Sequence, residues 1–122
     1  MRELKDVILK GTHLSRFSGL LDVITKEDLG ADRVILQESS EECEFYVVEY
    51  KSRDFLLAVY RGKRALYAKI ALPYTGEWNC EWILYTPAGL FAFSKDENEL
   101  KLKIRESLMK LYDVVVRLRS YY

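Results

Sequence analysis

Between Ser94 and about Arg119, Leu100, Ile104, Leu108, Leu111, Val115 and Leu118 step by four and three residues. That spacing puts all six on one side of an α-helix, and it predicts a helix long enough to close over a sheet. Ser94 followed by Glu97 reads as a capping box, in which the hydroxyl holds the third helical amide and the carboxylate reaches back. Asp96, Glu97 and Glu99 crowd the first turn, and Arg117 and Arg119 the last, as the helix dipole favours. A second set, Leu102, Met109 and Val116, recurs every seven residues on the reverse side, flanked by Tyr112. One stripe is expected to face the sheet. The other predicts an interface made by Leu102, Met109, Tyr112 and Val116.

Upstream, from Asp32, the hydrophobic period changes to two. Val34 and Leu36 alternate with Arg33, Ile35 and Gln37, and further strands are expected over 43–51, 54–61, 64–72, 80–85 and 90–93. A two-residue loop at Gly62-Lys63 suits a type II′ turn and pairs Val59 with Leu66, Leu57 with Ala68, and Phe55 with Ile70. Those six share one face, with Tyr60, Tyr67, Leu56 and Lys69 on the other. A loop at Ser52-Arg53 would pair Lys51 with Asp54. Ahead of the sheet, Leu4, Val7 and Ile8 have helical spacing ended by Gly11, and residues 14–29 read as broken helix. There Thr25 and Asp28 form a capping box for one turn ending at Gly30. The expectation is a single α+β domain over 1–122. It has two short N-terminal helices within 1–30, an antiparallel sheet of five or six strands over 32–93, and a long C-terminal helix over 94–120.

At 122 residues, 49% of them hydrophobic and 31% charged, such a core needs neither metal nor disulfide. Nineteen basic residues balance nineteen acidic ones, so net charge favours no nucleic-acid or acidic partner. Locally the balance breaks. Residues 22–49 are acidic and 51–70 basic, a pattern expected to neutralise itself in the fold. The amino terminus is too charged for a signal peptide, and no apolar run approaches a membrane span. Cytoplasmic localisation is therefore expected. Gln37, Asn79 and Asn98 are the only amides beside abundant Lys, Glu and Arg, a bias of hyperthermophile proteins. In that setting an intracellular Cys43–Cys80 disulfide becomes an option, though a reducing compartment argues for free thiols.

Chemistry is sparsely signalled. Glu49-Tyr50-Lys51 resembles the metal-binding core of restriction-type nucleases, with Asp32 as the upstream acid. The resemblance implies Mg²⁺ held by the carboxylates and a lysine steadying the attacking water. The same acid-spacer-lysine form recurs at Glu3–Lys5 and Glu99–Lys101, and the family's following helix is replaced here by an expected strand. His13 is the lone histidine, with no triad or zinc set around it. No glycine-rich phosphate loop occurs, so no catalytic residue, metal site or cofactor is assigned. In 73–79, Tyr74, Glu77 and Trp78 make an aromatic-polar loop suited to ligand binding. Tyr46, Tyr60, Tyr67 and Tyr85 lie near Arg61, Lys63, Arg64 and Lys69, a mixture that can stack single-stranded nucleic acid.

The element order resembles that of helix-grip domains, which implies a cavity between sheet and helix for a small apolar ligand. The leading expectation is a non-enzymatic interaction module, homodimeric or bound to another protein, using the reverse stripe of the helix or an aromatic sheet face.

Overall fold

The computed structural model describes residues 24–120. They form α1 (Lys26–Leu29), β1 (Arg33–Ser39), β2 (Cys43–Tyr50), β3 (Arg53–Arg61), β4 (Leu66–Ala71), α2 (Cys80–Tyr85), β5 (Gly89–Ser94) and α3 (Glu97–Ser120). The five strands make one antiparallel sheet whose spatial order is the chain order, β1-β2-β3-β4-β5. The α+β class and the long terminal helix agree with the periodicity. Of the two expected N-terminal helices, the described residues hold one. The helix expected over 3–10, the rest of the broken helix before residue 24, and His13 lie outside them.

Packing follows the alternation. Tyr46, Val48 and Tyr50 share a face with Phe55, Leu57 and Val59, Leu66, Ala68 and Ile70, and Ala92. Leu100, Ile104, Leu108 and Leu111 of α3 press onto that face, and Ile24 and Leu29 close one end of the core. Each fully buried Leu or Ile side chain contributes about 2 kcal/mol of transfer free energy. Thr25 and Asp28 form the expected capping box, and Gly30 ends α1 in the left-handed region at φ 64°. Asp28 also meets Lys101 at 3.3 Å, tying α1 to α3.

Both hairpins keep the expected faces but not the expected pairs. Arg61 faces Leu66, so the loop is 62–65, with the Gly62 amide bonded to the Ala65 carbonyl at 2.9 Å. A Cβ on Gly62 would sit 2.5 Å from the Tyr67 ring, which a two-residue turn had not required. Tyr50 faces Arg53, leaving Lys51 and Ser52 as the turn, both at positive φ (50° and 67°), the geometry of a type I′ hairpin. The shift from the expected register is two residues in each hairpin, and with a side-chain period of two the faces survive.

The helix start also differs. Ser94 ends β5, and Asp96 accepts the Glu99 amide at 2.8 Å in the N-cap role. The Ser94 hydroxyl donates to the Glu99 carboxylate and accepts the Asp96 amide at 3.0 Å. At the far end the sheet-facing stripe runs out: Val115 is half-buried, and Leu118 is exposed.

The largest correction is at 80–85, which is the helix α2 rather than a strand. Asn79 caps it, accepting the Trp82 amide at 2.9 Å. It lies on the sheet face opposite α3, where Ile83 and Cys80 cover Phe45, Leu56, Ala58 and Ala71. Cys43 and Cys80 are joined in a buried disulfide with Cα atoms 6.4 Å apart. In β1 a bulge between Leu36 and Glu38 switches faces, so Glu38 turns to the α2 side and accepts the Cys80 amide at 3.3 Å.

Candidate interaction surface

Polar groups expected to be free for binding are largely consumed inside the fold. Tyr46 is fully buried, and its hydroxyl donates to Glu44 at 3.3 Å. Glu44 is ion-paired with Arg61, whose guanidinium also donates to the Glu41 carbonyl at 2.8 Å. Burial holds the Glu44 carboxyl above its ordinary range against the pull of Arg61, and it pushes the Tyr46 phenol up as well. This pair is one place where the acidic and basic segments neutralise each other. The Tyr60 hydroxyl donates to the Cys80 carbonyl, and its phenol is pushed up to about 12 by burial and by the carboxylates of Glu38 and Glu81. Lys69, on the α2 side, donates to the Thr86 carbonyl and, at 3.2 Å, to that of Leu84, so a cation closes the C-terminus of α2. Burial depresses its ammonium below the usual lysine range.

In the loop, Tyr74 and Trp78 hold each other. The Tyr74 hydroxyl donates to the Glu77 carbonyl at 2.9 Å, and the indole N–H to the Tyr74 carbonyl at 2.7 Å. Their rings lie edge to face at 6.5 Å, and Tyr74 packs on the cluster under α2. The handles that would orient a ligand serve the loop itself. An open cleft of about 410 Å³ lies beyond Pro73, between Phe55, Leu72 and Val115, with Arg53 and Asp54 on its rim. It sits at the end of the sheet-helix seam, and neither Tyr74 nor Trp78 lines it.

The nuclease residues separate. Glu49 faces Arg33 and Asp54 across β1 and β3, on the α2 side. Lys51 sits over the rings of Tyr50 and Tyr112, 5.4 and 5.0 Å from their centroids, on the α3 side. Asp32 accepts the Ser52 amide at 3.3 Å. Among the described residues no group of three or more His, Cys, Asp or Glu is placed to hold a metal, and none of the described helices is long and apolar enough to cross a membrane.

On α3, Leu102 and Met109 are exposed, at 60% and 49%, and Val116 at 39%. Tyr112 instead turns inward, edge-on to Tyr50 at 5.4 Å. A denser apolar surface lies on the α2 side of the sheet. Tyr67 and Phe93 face each other across β4 and β5 with ring centroids 6.3 Å apart, and Phe91 follows two residues before Phe93. Phe91 and Phe93 are 60% and 61% exposed; Trp82 and Tyr85 of α2, on the same side of the sheet, are exposed as well. Lysines border the patch: Lys69 lies 4.9 Å from the Phe91 centroid and Lys103 5.7 Å from that of Phe93. Lys103 also donates to the Phe93 carbonyl at 2.9 Å.

The sequence signal for this surface was the run Leu90 to Phe93, where Phe91 and Phe93 alternate with Leu90 and Ala92. It located the strand without saying that its outer face stays uncovered, since coverage depends on where α2 lands. Compared with known proteins, the chain matches no family model, no curated protein and no solved structure.

Proposed function

We infer that the chain is a small non-enzymatic interaction module that associates with a second copy of itself through the aromatic side of its sheet. The observation that carries this reading is the exposure of Tyr67, Phe91 and Phe93 together on the side of the sheet that also bears α2, whose Trp82 and Tyr85 are exposed as well. Single exposed apolar residues are ordinary, whereas an aromatic patch bordered by charge has the make-up of an interface centre. Leu102 and Met109 supply a second, sparser surface on α3. Sedimentation equilibrium between roughly 1 and 100 μM tests the reading. A mass that rises with concentration, and falls back to monomer in Phe91→Ser/Phe93→Ser, supports it; a monomer throughout defeats it.

Single-stranded nucleic-acid binding is a second reading, favoured by the placement of Lys103 over Phe93 next to Tyr67. Tryptophan and tyrosine fluorescence quenched by an oligonucleotide, with affinity falling steeply as salt rises, would support it. The compartment that goes with the first reading is a hyperthermophile cytoplasm, where intracellular proteins do keep disulfides.

A further inference from the structure

We propose that the second copy joins at the free edge of β5, so that two five-stranded sheets run on as one sheet about a two-fold axis at Phe91. This rests on the self-association inferred above and specifies its geometry. In the antiparallel ladder, hydrogen-bonded pairs alternate with non-bonded ones. The Leu72 amide bonds the Ala88 carbonyl at 3.3 Å, which puts the bonded positions of β5 at even residue numbers. The N–H and C=O groups of Gly89, Phe91 and Phe93 therefore point away from β4, and among the described residues no strand lies beyond them. On that outer side Lys103 donates to the Phe93 carbonyl at 2.9 Å.

This edge is complementary to itself. With Phe91 on the axis, Phe91 of each copy exchanges both backbone bonds with the other, and Gly89 does so with the second copy's Phe93. An edge strand with apolar side chains and unpaired outward N–H and C=O groups is a ready template for such pairing. Gly89 carries no side chain, and a Cβ there would run into the Ile70 backbone and lie 2.9 Å from the alkyl stem of Lys69. Each Phe93 ring is thereby given a bed of glycine backbone and lysine stem on the other copy, an aromatic-over-glycine pairing known to steady sheet edges. Charge follows the same symmetry. Lys103, Glu106 and Lys110 line the groove between α3 and β5, so an antiparallel copy sets a groove carrying both signs of charge against its own image.

Area sets the strength. Two half-exposed phenylalanine rings per copy supply about 500 Å² in all, and the strand edges and α3 flanks bring the contact to the lower end of specific interfaces. A micromolar dimer follows rather than an obligate one.

Amide hydrogen exchange read at low and high protein concentration, together with sedimentation, decides the geometry. Expected is concentration-dependent protection of the Gly89, Phe91 and Phe93 amides. Phe91→Pro removes an amide that β4 does not use, and it should raise the dimer dissociation constant about a hundredfold. Phe91→Lys, which keeps the amide but sets like charges against each other on the axis, should do the same. Tyr67→Ser/Tyr85→Ser should change it by less than about threefold. A dimer that survives Phe91→Pro and Phe91→Lys but is lost in Tyr67→Ser/Tyr85→Ser overturns the edge pairing and leaves self-association standing. A monomer at all concentrations overturns both, whether or not the edge amides are protected.

Discussion

The disulfide between Cys43 and Cys80 gives the most quantitative handle on this fold. It closes a loop of 37 residues in sequence separation, and that loop contains β2, β3, β4 and the two turns between them. In the chain-entropy account such a cross-link removes about 13 cal/mol/K from the unfolded ensemble, or about 4 kcal/mol at 25 °C. Both cysteines are buried under α2, so Cys43→Ala/Cys80→Ala also loses some packing. For a domain of this length, with about 2.1 cal/mol/K of unfolding entropy per residue, 4 kcal/mol corresponds to a fall in Tm of about 15 °C. The measurement is paired thermal and urea unfolding of the oxidised chain, the same chain with a dithiol reductant, and the double variant. The urea m-value should rise when the link is absent, because the unfolded chain then exposes more surface. Two titratable thiols per unfolded chain without reductant would refute the bridge itself. A bridged chain whose reduction lowers stability by less than about 1 kcal/mol would refute the entropic reasoning.

Other consequences are local. Arg61→Met leaves the Glu44 charge buried without its guanidinium and should cost about 3 to 5 kcal/mol at neutral pH, while Glu44→Leu/Arg61→Met should recover most of that in urea unfolding. Tyr60, held up to about 12, stays protonated in the fold after the unfolded chain ionises near its ordinary value of 10. Stability should therefore fall as pH rises from 10 to about 12, and Tyr60→Phe should make that slope shallower, leaving the part that the buried Tyr46 phenol contributes. Ser52→Gly relieves a left-handed residue at φ 67° and should stabilise by about 1 kcal/mol, read as a higher urea midpoint. Ile104→Ala should cost about 2 to 5 kcal/mol, whereas Leu102→Ala on the same helix should cost under about 0.5 kcal/mol.

What was legible in the sequence was whatever a face-by-face pattern can carry. The alternation of Phe55, Leu57 and Val59 with Leu66, Ala68 and Ile70 identified the α3 side of the sheet correctly, even though the turn between them is four residues rather than two, because the register moved by an even number of residues. The Thr25 to Asp28 capping box was readable from four residues. The segment 80–85 was not, because Cys-Glu-Trp-Ile-Leu-Tyr is six residues of apolar, aromatic and β-branched character that suits a strand as well as a helix. The one pointer was Asn79 immediately before it, a residue that favours helix N-caps. The bridge was out of reach for a different reason: only the return of α2 onto the far side of the sheet brings Cys80 beside Cys43. Nor could the Tyr and Lys cluster be sorted into buried and exposed members. Tyr60 and Lys69 meet carbonyls of α2, Cys80 in one case and Leu84 and Thr86 in the other, and α2 was not visible as a helix.

Because each strand pairs with its neighbour in sequence, the sheet can be assembled in the order in which it is synthesised. A chain emerging from a ribosome completes β1 to β4 and can lay α2 on one side before any of α3 exists. The other side, with Tyr46, Val48, Phe55, Leu57 and Ile70, then waits for Leu100 to Leu111. For that interval, among the described residues, the nascent sheet has one wall covered by α2 and one still awaiting its helix, and it is α3 that ends the need for protection.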